Sequence, residues 1–488
     1  LLGCLTVWAT PVHGEDEDPS KNELFQYLRM TADNEEANDA RAVKTEILVE
    51  KSEKLAIEQV KKLIRKYKGN RAIEADLLFR LGELYMRRSK AARFFEIHRK
   101  TETVVSLAPK RVKKASSKKY VYKAVEVYDN IERKFKDFPQ MDLVIFNNGF
   151  ARQQLGQIKY AKDKYERVIQ RFPHSPLVPD SHLAVGEMSF EKQQFQIALK
   201  HFNAIKKYPE SRVYTYGMYK SAWTYYNLQQ AEKGIQELEK VVAYGHDIRK
   251  RGLDARLDLS KEALSDMTLF FSDVYHASNA YSYFRKHAED QDFAEYILKL
   301  SRIYERHSKW KDREVVLRQY VRKHPSDVLV PEMQIALIWT YENMKERQKA
   351  VAQLKNLFIL CTDKNSDWIY VRKKEDDNGS KSIKECRRQV EVTSIKLANK
   401  WDGIFKKNPA YPKFADAAEA AYEIYLRTDR KDEEFARARY AFSELLFKRK
   451  KYRKASYQYD LVGDITKKKD LGHDARYAAV LSLEKTVS

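Results

Sequence analysis

Apolar residues recur at i, i+3, i+4 and i+7 along almost the whole chain after residue 54. This spacing places them on one stripe of an α-helix. Val127, Tyr128, Ile131 and Phe135 form one such stripe. Strict alternation of apolar and polar residues, which marks a half-buried strand, is nearly absent. The pattern predicts an all-α chain of helices, each roughly 12–18 residues long, joined by short polar turns. Turn-forming residues are correspondingly scarce, with 15 Gly and 12 Pro in 488 residues, below the usual ~7% and ~5%. Sandwiches, barrels, doubly wound sheets and phosphate-cradling loops all need such residues, so the composition argues against them.

The stripes themselves repeat. Segments 147–175, 184–211 and 220–244 align without gaps in their helical parts. A small residue sits in the middle of the first helix at Gly149, Gly186 and Ala222, and another opens the second helix at Ala161, Ala198 and Gly234. Tyr165, Phe202 and Leu238 follow four residues later, and an aromatic–proline pair closes helices at Phe138-Pro139, Phe172-Pro173 and Tyr208-Pro209. Small residues suit close helix crossings and large ones fill the space between hairpins. A hairpin of this kind buries its apolar face only by stacking on its neighbours.

These segments resemble tetratricopeptide repeats, a helix–turn–helix family with a period of about 34 residues. Ile145, Gly149, Ala161, Tyr165, Val168 and Pro173 fall on signature positions, while Arg152 departs from the usual aromatic. Segment 294–325 matches through Leu300, Ser301, Tyr304, Leu317, Tyr320 and Pro325. Weaker copies run over Leu78–Tyr85, around Ala350 and around Ala455, and segment 254–290 is helical but degenerate. The resemblance implies a right-handed superhelical solenoid of about seven to nine hairpins with two insertions. It also implies that first helices line a concave groove. Phe146, Phe150 and Gln153, then Leu183, Glu187 and Phe190, then Tyr216, Tyr219, Trp223, Tyr226 and Asn227 would face a peptide or protein partner there. Aromatics suit such a role, although aromatic stripes at helical spacing also serve as core.

Charge singles out one further segment. The chain has 92 Lys and Arg against 70 Asp and Glu, a net +22. Residues 87–123 hold thirteen of these cations and only Glu96 and Glu102 as acids, half of the net charge. Its centre, KRVKKASSKK (110–119), reads as a loop joining two long helices. Lys110, Arg111, Lys113, Lys114, Lys118 and Lys119 would form a patch for an anionic surface or an acidic protein. No zinc-finger spacing, RNP signature or leucine zipper supports nucleic acid as the partner.

The expected organisation is a signal-peptide remnant or tail over 1–20 and N-terminal repeats over 21–138 carrying the basic insertion 87–123. A central array over 139–361, a polar loop over 362–385 and C-terminal repeats over 386–488 follow. Residues Leu1–Thr10 are apolar and Gly14 suits a signal-peptidase cut, while Leu1-Leu2-Gly3-Cys4 resembles a lipobox. Cys361 and Cys386 flank the polar insertion, either as a disulfide staple or as two separate core thiols. HExxH, GxSxG and GxxxxGK[ST] are missing, and the eleven His lack metal-ligand spacing. No metal, cofactor or catalysis is therefore expected.

The aromatic-Pro-x-Ser junctions FPHSP (172–176) and YPESR (208–212) are similar to those of periplasmic repeat proteins of the BamD and YbgF type. That resemblance implies an exported, periplasmic or outer-membrane-associated scaffold in outer-membrane assembly, division or motility. The alternative is a polyanion binder acting through residues 87–123 on anionic lipid, wall polymer or, in the cytoplasm, nucleic acid.

Overall fold

A computed structural model describes residues 22–488, except 255–256, 290–291, 376, 429, 431 and 488. Side chains are described at residue 38 and from 40 to 486. The expected leader or tail over 1–20 lies outside the described residues. All regular elements among the described residues are helical. They fall into two compact units, one ending at Val213 and one beginning at Tyr214. The division cuts the central array expected over 139–361. In a nearest-neighbour array it can fall between any two hairpins.

The first unit comprises α1 (Asn22–Lys66), α2 (Arg71–Ile97), α3 (Glu102–Leu107), α4 (Pro109–Lys114), α5 (Ser117–Lys134), α6 (Met141–Gln154), α7 (Ile158–Arg171), α8 (Val178–Glu191) and α9 (Phe195–Ile205). It contains the hairpins α2/α5, α6/α7 and α8/α9, with α1 laid against α2. In each hairpin a first-helix glycine faces a second-helix aromatic. A Cβ on Gly186 would lie 2.5 Å from the Phe202 ring, one on Gly82 2.5 Å from Tyr128, and one on Gly149 3.2 Å from Tyr165. Sixteen residues separate this pair in α6/α7 and α8/α9, but forty-six separate Gly82 from Tyr128. The α2/α5 hairpin is therefore a repeat whose turn has been replaced by a thirty-residue insertion.

That insertion is not the loop expected over 110–119. Helix α2 continues to Ile97, and α3 and α4 follow before α5. Val104, Ala108 and Val112, spaced by four, are buried with Val43 and Phe95 in a small core of their own. The lysines around them hide this spacing from a reading of composition.

The second unit comprises α10 (Tyr214–Asn227), α11 (Ala231–Arg251), α12 (Ser260–Val274), α13 (Ala280–Ala288), α14 (Ala294–Arg306), α15 (Trp310–Lys323), α16 (Val330–Asn343), α17 (Arg347–Thr362), α18 (Asp367–Lys373), α19 (Asp377–Lys407), α20 (Pro412–Leu426), α21 (Glu433–Lys448), α22 (Tyr452–Ile465) and α23 (Lys469–Val487). One continuous core runs through it, with Phe270, Phe271, Tyr304, Tyr320, Trp368, Trp401 and Tyr422 among its largest members. Helix α23 lies along α22 and closes the unit.

Across both units the tight hairpins share one turn. The residue at its apex is left-handed: Gly156 (φ 73°), Gln193 (58°), Gln229 (60°), Ser308 (55°), Lys345 (61°) and Lys450 (59°). The N–H that follows donates back across the turn, as from Gln194 to the Ser189 carbonyl at 2.8 Å and from Lys309 to that of Tyr304 at 2.8 Å. This closure satisfies first-helix carbonyls that the helix leaves unpaired. Glycine is the usual choice at such a site, and here five of the six positions do without it.

The polar segment 362–385 is also structured. It holds α18 and the first turns of α19. Trp368 and Ile369 are buried, and Trp368 Nε1 donates to the Asp327 carbonyl at 2.8 Å. Cys361 and Cys386 form a disulfide with Cα atoms 5.5 Å apart, which ties α17 to α19. No helix among the described residues is long and apolar enough to cross a membrane.

Candidate partner-binding face

The residues expected in the groove are placed differently in the two units. In the first, they serve mainly to join the helices of each hairpin. The Phe146 ring meets Tyr165 at 5.2 Å and Phe190 meets Phe195 at 5.3 Å. Gln153 Oε1 accepts from the Tyr165 hydroxyl at 3.1 Å. Leu183 is buried, while Phe150 and Glu187 are half-buried. His182 on α8 meets His201 on α9, Nδ1 to Nδ1, at 3.0 Å. Both imidazoles are pushed down to about 4, by burial first and then by neighbouring charge, so each stays neutral near neutral pH.

In the second unit the aromatic stripe of α10 is braced by α12. Tyr219 Oη and Trp223 Nε1 both donate to Asp266 Oδ2, the latter at 3.0 Å. Tyr226 Oη donates to Asp273 Oδ2 at 2.8 Å. Trp223 and Tyr226 also close on the Phe270 ring, at 5.3 and 4.6 Å. Burial, reinforced by Asp273, pushes the Tyr226 phenol up to about 12. Burial and Asp266 likewise push the Tyr219 phenol up. Tyr216, Tyr219, Trp223 and Tyr226 remain half-buried and Asn227 is exposed. The result is an aromatic surface with rotamers fixed by carboxylates.

The bracing continues from one first helix to the next. Lys299 on α14 reaches Asp266 at 3.8 Å, and Arg302 bonds Glu332 on α16 at 2.6 Å. Glu342 on α16 accepts from Trp401 Nε1 at 3.0 Å and from Lys400 at 2.9 Å, both on α19. Between α19 and α21 the row opens into a groove of about 390 Å³, lined by Val392, Ile395, Asn399, Arg437, Ala438 and Ala441. The small residues at 438 and 441 keep α21 low enough to leave this space. No sequence motif marks this groove; its one local signal is the small pair Ala438 and Ala441, three residues apart on α21.

The basic segment separates into two kinds of cation. Arg88 and Arg111 both bond Glu50, Arg111 through Nε at 2.6 Å. Burial disfavours the Glu50 charge, but the two guanidiniums hold its carboxyl below its ordinary value. Arg111 is therefore committed to the fold and does not belong to an open patch. Lys110, Lys113, Lys114, Lys118 and Lys119 are exposed. No group of three or more His, Cys, Asp or Glu among the described residues is placed to hold a metal ion.

A search of curated proteins finds no match. Among solved structures, a chain of the structure of Naa15/Naa10 bound to HypK-THB is similar over 92% of this chain and 68% of that one, at 12% identity and a TM-score of 0.32. The tetratricopeptide repeat family matches residues 145–175 and 216–244. The first match takes in most of α6 and all of α7, and the second most of α10 and the first two thirds of α11, so a hairpin similar to a tetratricopeptide repeat is found in each unit.

Proposed function

We propose that this protein is a non-enzymatic scaffold that holds a partner protein against the first helices of its hairpins. The observation that carries this reading is the aromatic row of α10, fixed by Asp266 and Asp273 of α12 while its rings stay partly open. Aromatics held in place before binding lose little entropy on contact, and such residues dominate interface energetics. The groove between α19 and α21 extends the same row of first helices, its Val392, Ile395, Ala438 and Ala441 set beside Glu391, Arg430, Glu434 and an exposed Arg437. Tetratricopeptide repeats generally bind proteins, which supports the same reading.

We place this scaffold in an oxidising compartment of the bacterial cell envelope, serving outer-membrane assembly, division or motility. Support comes from the buried Cys361–Cys386 disulfide, since such bonds persist where thiols are not kept reduced. The repeat junctions similar to those of BamD- and YbgF-type proteins point the same way. The test is site-specific photo-crosslinking from Asn227 and Arg437 on first helices, with Lys355 on a second helix as the control.

A further inference from the structure

The basic tip of the α2/α5 hairpin has a surface that partner binding by the repeats leaves unexplained. It is an ordered module. Val104, Ala108 and Val112 anchor its inner side, Arg99 Nη2 donates to the Ala115 carbonyl at 3.0 Å, and Glu96 accepts from the Ser117 N–H at 2.8 Å. The side chains outside this anchor are of two kinds. Lys100, Lys110, Lys113, Lys114, Lys118 and Lys119 are exposed, with Glu102 the exposed acid among them. Ile97, Val105 and Leu107 are also exposed, at 68%, 37% and 45%.

Each set has a separate physical meaning. Lysines this dense attract anions. Phosphates of nucleic acid would satisfy them but would give Ile97, Val105 and Leu107 nothing to enter. A bilayer surface of anionic phospholipid satisfies both sets, with phosphates for the lysines and the acyl boundary for the apolar side chains. The insertion lengthens one hairpin turn and so carries this surface to the end of a repeat.

We propose that the tip formed by Ile97, α3, α4 and the first turn of α5 docks on an anionic phospholipid surface, its lysines at the headgroups and Ile97, Val105 and Leu107 at the acyl boundary. This is independent of partner binding by the first helices of the second unit.

The test is co-sedimentation of the full chain with vesicles of phosphatidylcholine alone and of phosphatidylcholine mixed with phosphatidylglycerol. Binding to the mixed vesicles only is expected. The triple variant Lys110→Glu, Lys113→Glu, Lys114→Glu should lose about a hundredfold or more in partitioning. The double variant Ile97→Ser, Leu107→Ser should lose about tenfold with its salt dependence unchanged. All five side chains are exposed, and matched circular-dichroism melts check that each variant folds. If the triple variant fails to fold, the pair Lys118→Gln, Lys119→Gln takes its place and should lose about tenfold. Equal binding to both vesicle types, or full binding by the charge variants, would overturn the proposal. So would binding of a short DNA duplex that displaces the vesicles and is indifferent to the apolar variant.

Discussion

At Gly186 the first-helix backbone lies so close to Phe202 that a methyl group has no room. The Phe202 ring is fully buried and has nowhere to move. Gly186→Ala should therefore destabilise the protein by about 1–3 kcal/mol despite the helix propensity of alanine. Gly403, inside α19, has nothing within 4 Å of the position a Cβ would take. Gly403→Ala should stabilise by about 0.5–1 kcal/mol. Thermal melts of the two variants should shift in opposite directions, and a shift of the same sign in both would contradict this view of the crossing.

The imidazoles of His182 and His201 add a pH dependence. Their folded values of about 4 lie below the ordinary 6.5. For His182 the causes are burial, then Lys207 and Lys200; for His201 they are burial, then His182, Lys162 and Lys200. As pH falls below 6.5 the unfolded chain takes up protons that the folded chain refuses, so stability drops until about pH 4. The double variant His182→Gln, His201→Gln should lose part of that drop. Identical slopes of Tm against pH in the two proteins would show that the pair does not titrate in this way.

At the scale of elements, the disulfide is the main covalent constraint. It closes a loop across a sequence separation of 25, and within that loop hydrogen bonds from Trp368 and Arg372 hold α18 against the Asp327 and Ser326 carbonyls. By loop-closure entropy it contributes roughly 3–4 kcal/mol. The double variant Cys361→Ala, Cys386→Ala should show a clearly lower denaturation midpoint in urea, and an unchanged midpoint would leave the bond without a structural role.

Elements also show what sequence can convey. The helices and their closing prolines were legible because period and punctuation agree, as at Phe172-Pro173 after α7. The hairpin turns were not, because Gln193, Gln229, Ser308, Lys345 and Lys450 take a left-handed conformation that their residue types do not advertise. The fold of the basic insertion was hidden for another reason. Three small apolar residues anchor it, and they are outnumbered by the lysines around them.

For each unit as a whole, the repeat positions gave the architecture, but the site was only half legible. The family pattern led to Tyr219, Trp223 and Tyr226. What makes them a surface is Asp266 and Asp273, more than forty residues away and on a helix in the degenerate segment. The groove beside Arg437 depends on the approach of α19 and α21, which no local pattern encodes. In the first unit Phe146 and Phe190, from the same pattern, are half-buried and also meet Tyr165 and Phe195 within their own hairpins.

In the proposed function, partner proteins meet the first helices. Photo-crosslinking in intact source cells from residues 227, 437 and 355 addresses it most directly. A discrete adduct of one size is expected from 227 and from 437, and none from 355. Adducts from 355 equal to those from the other two, or no adduct from 227 and 437, would contradict it.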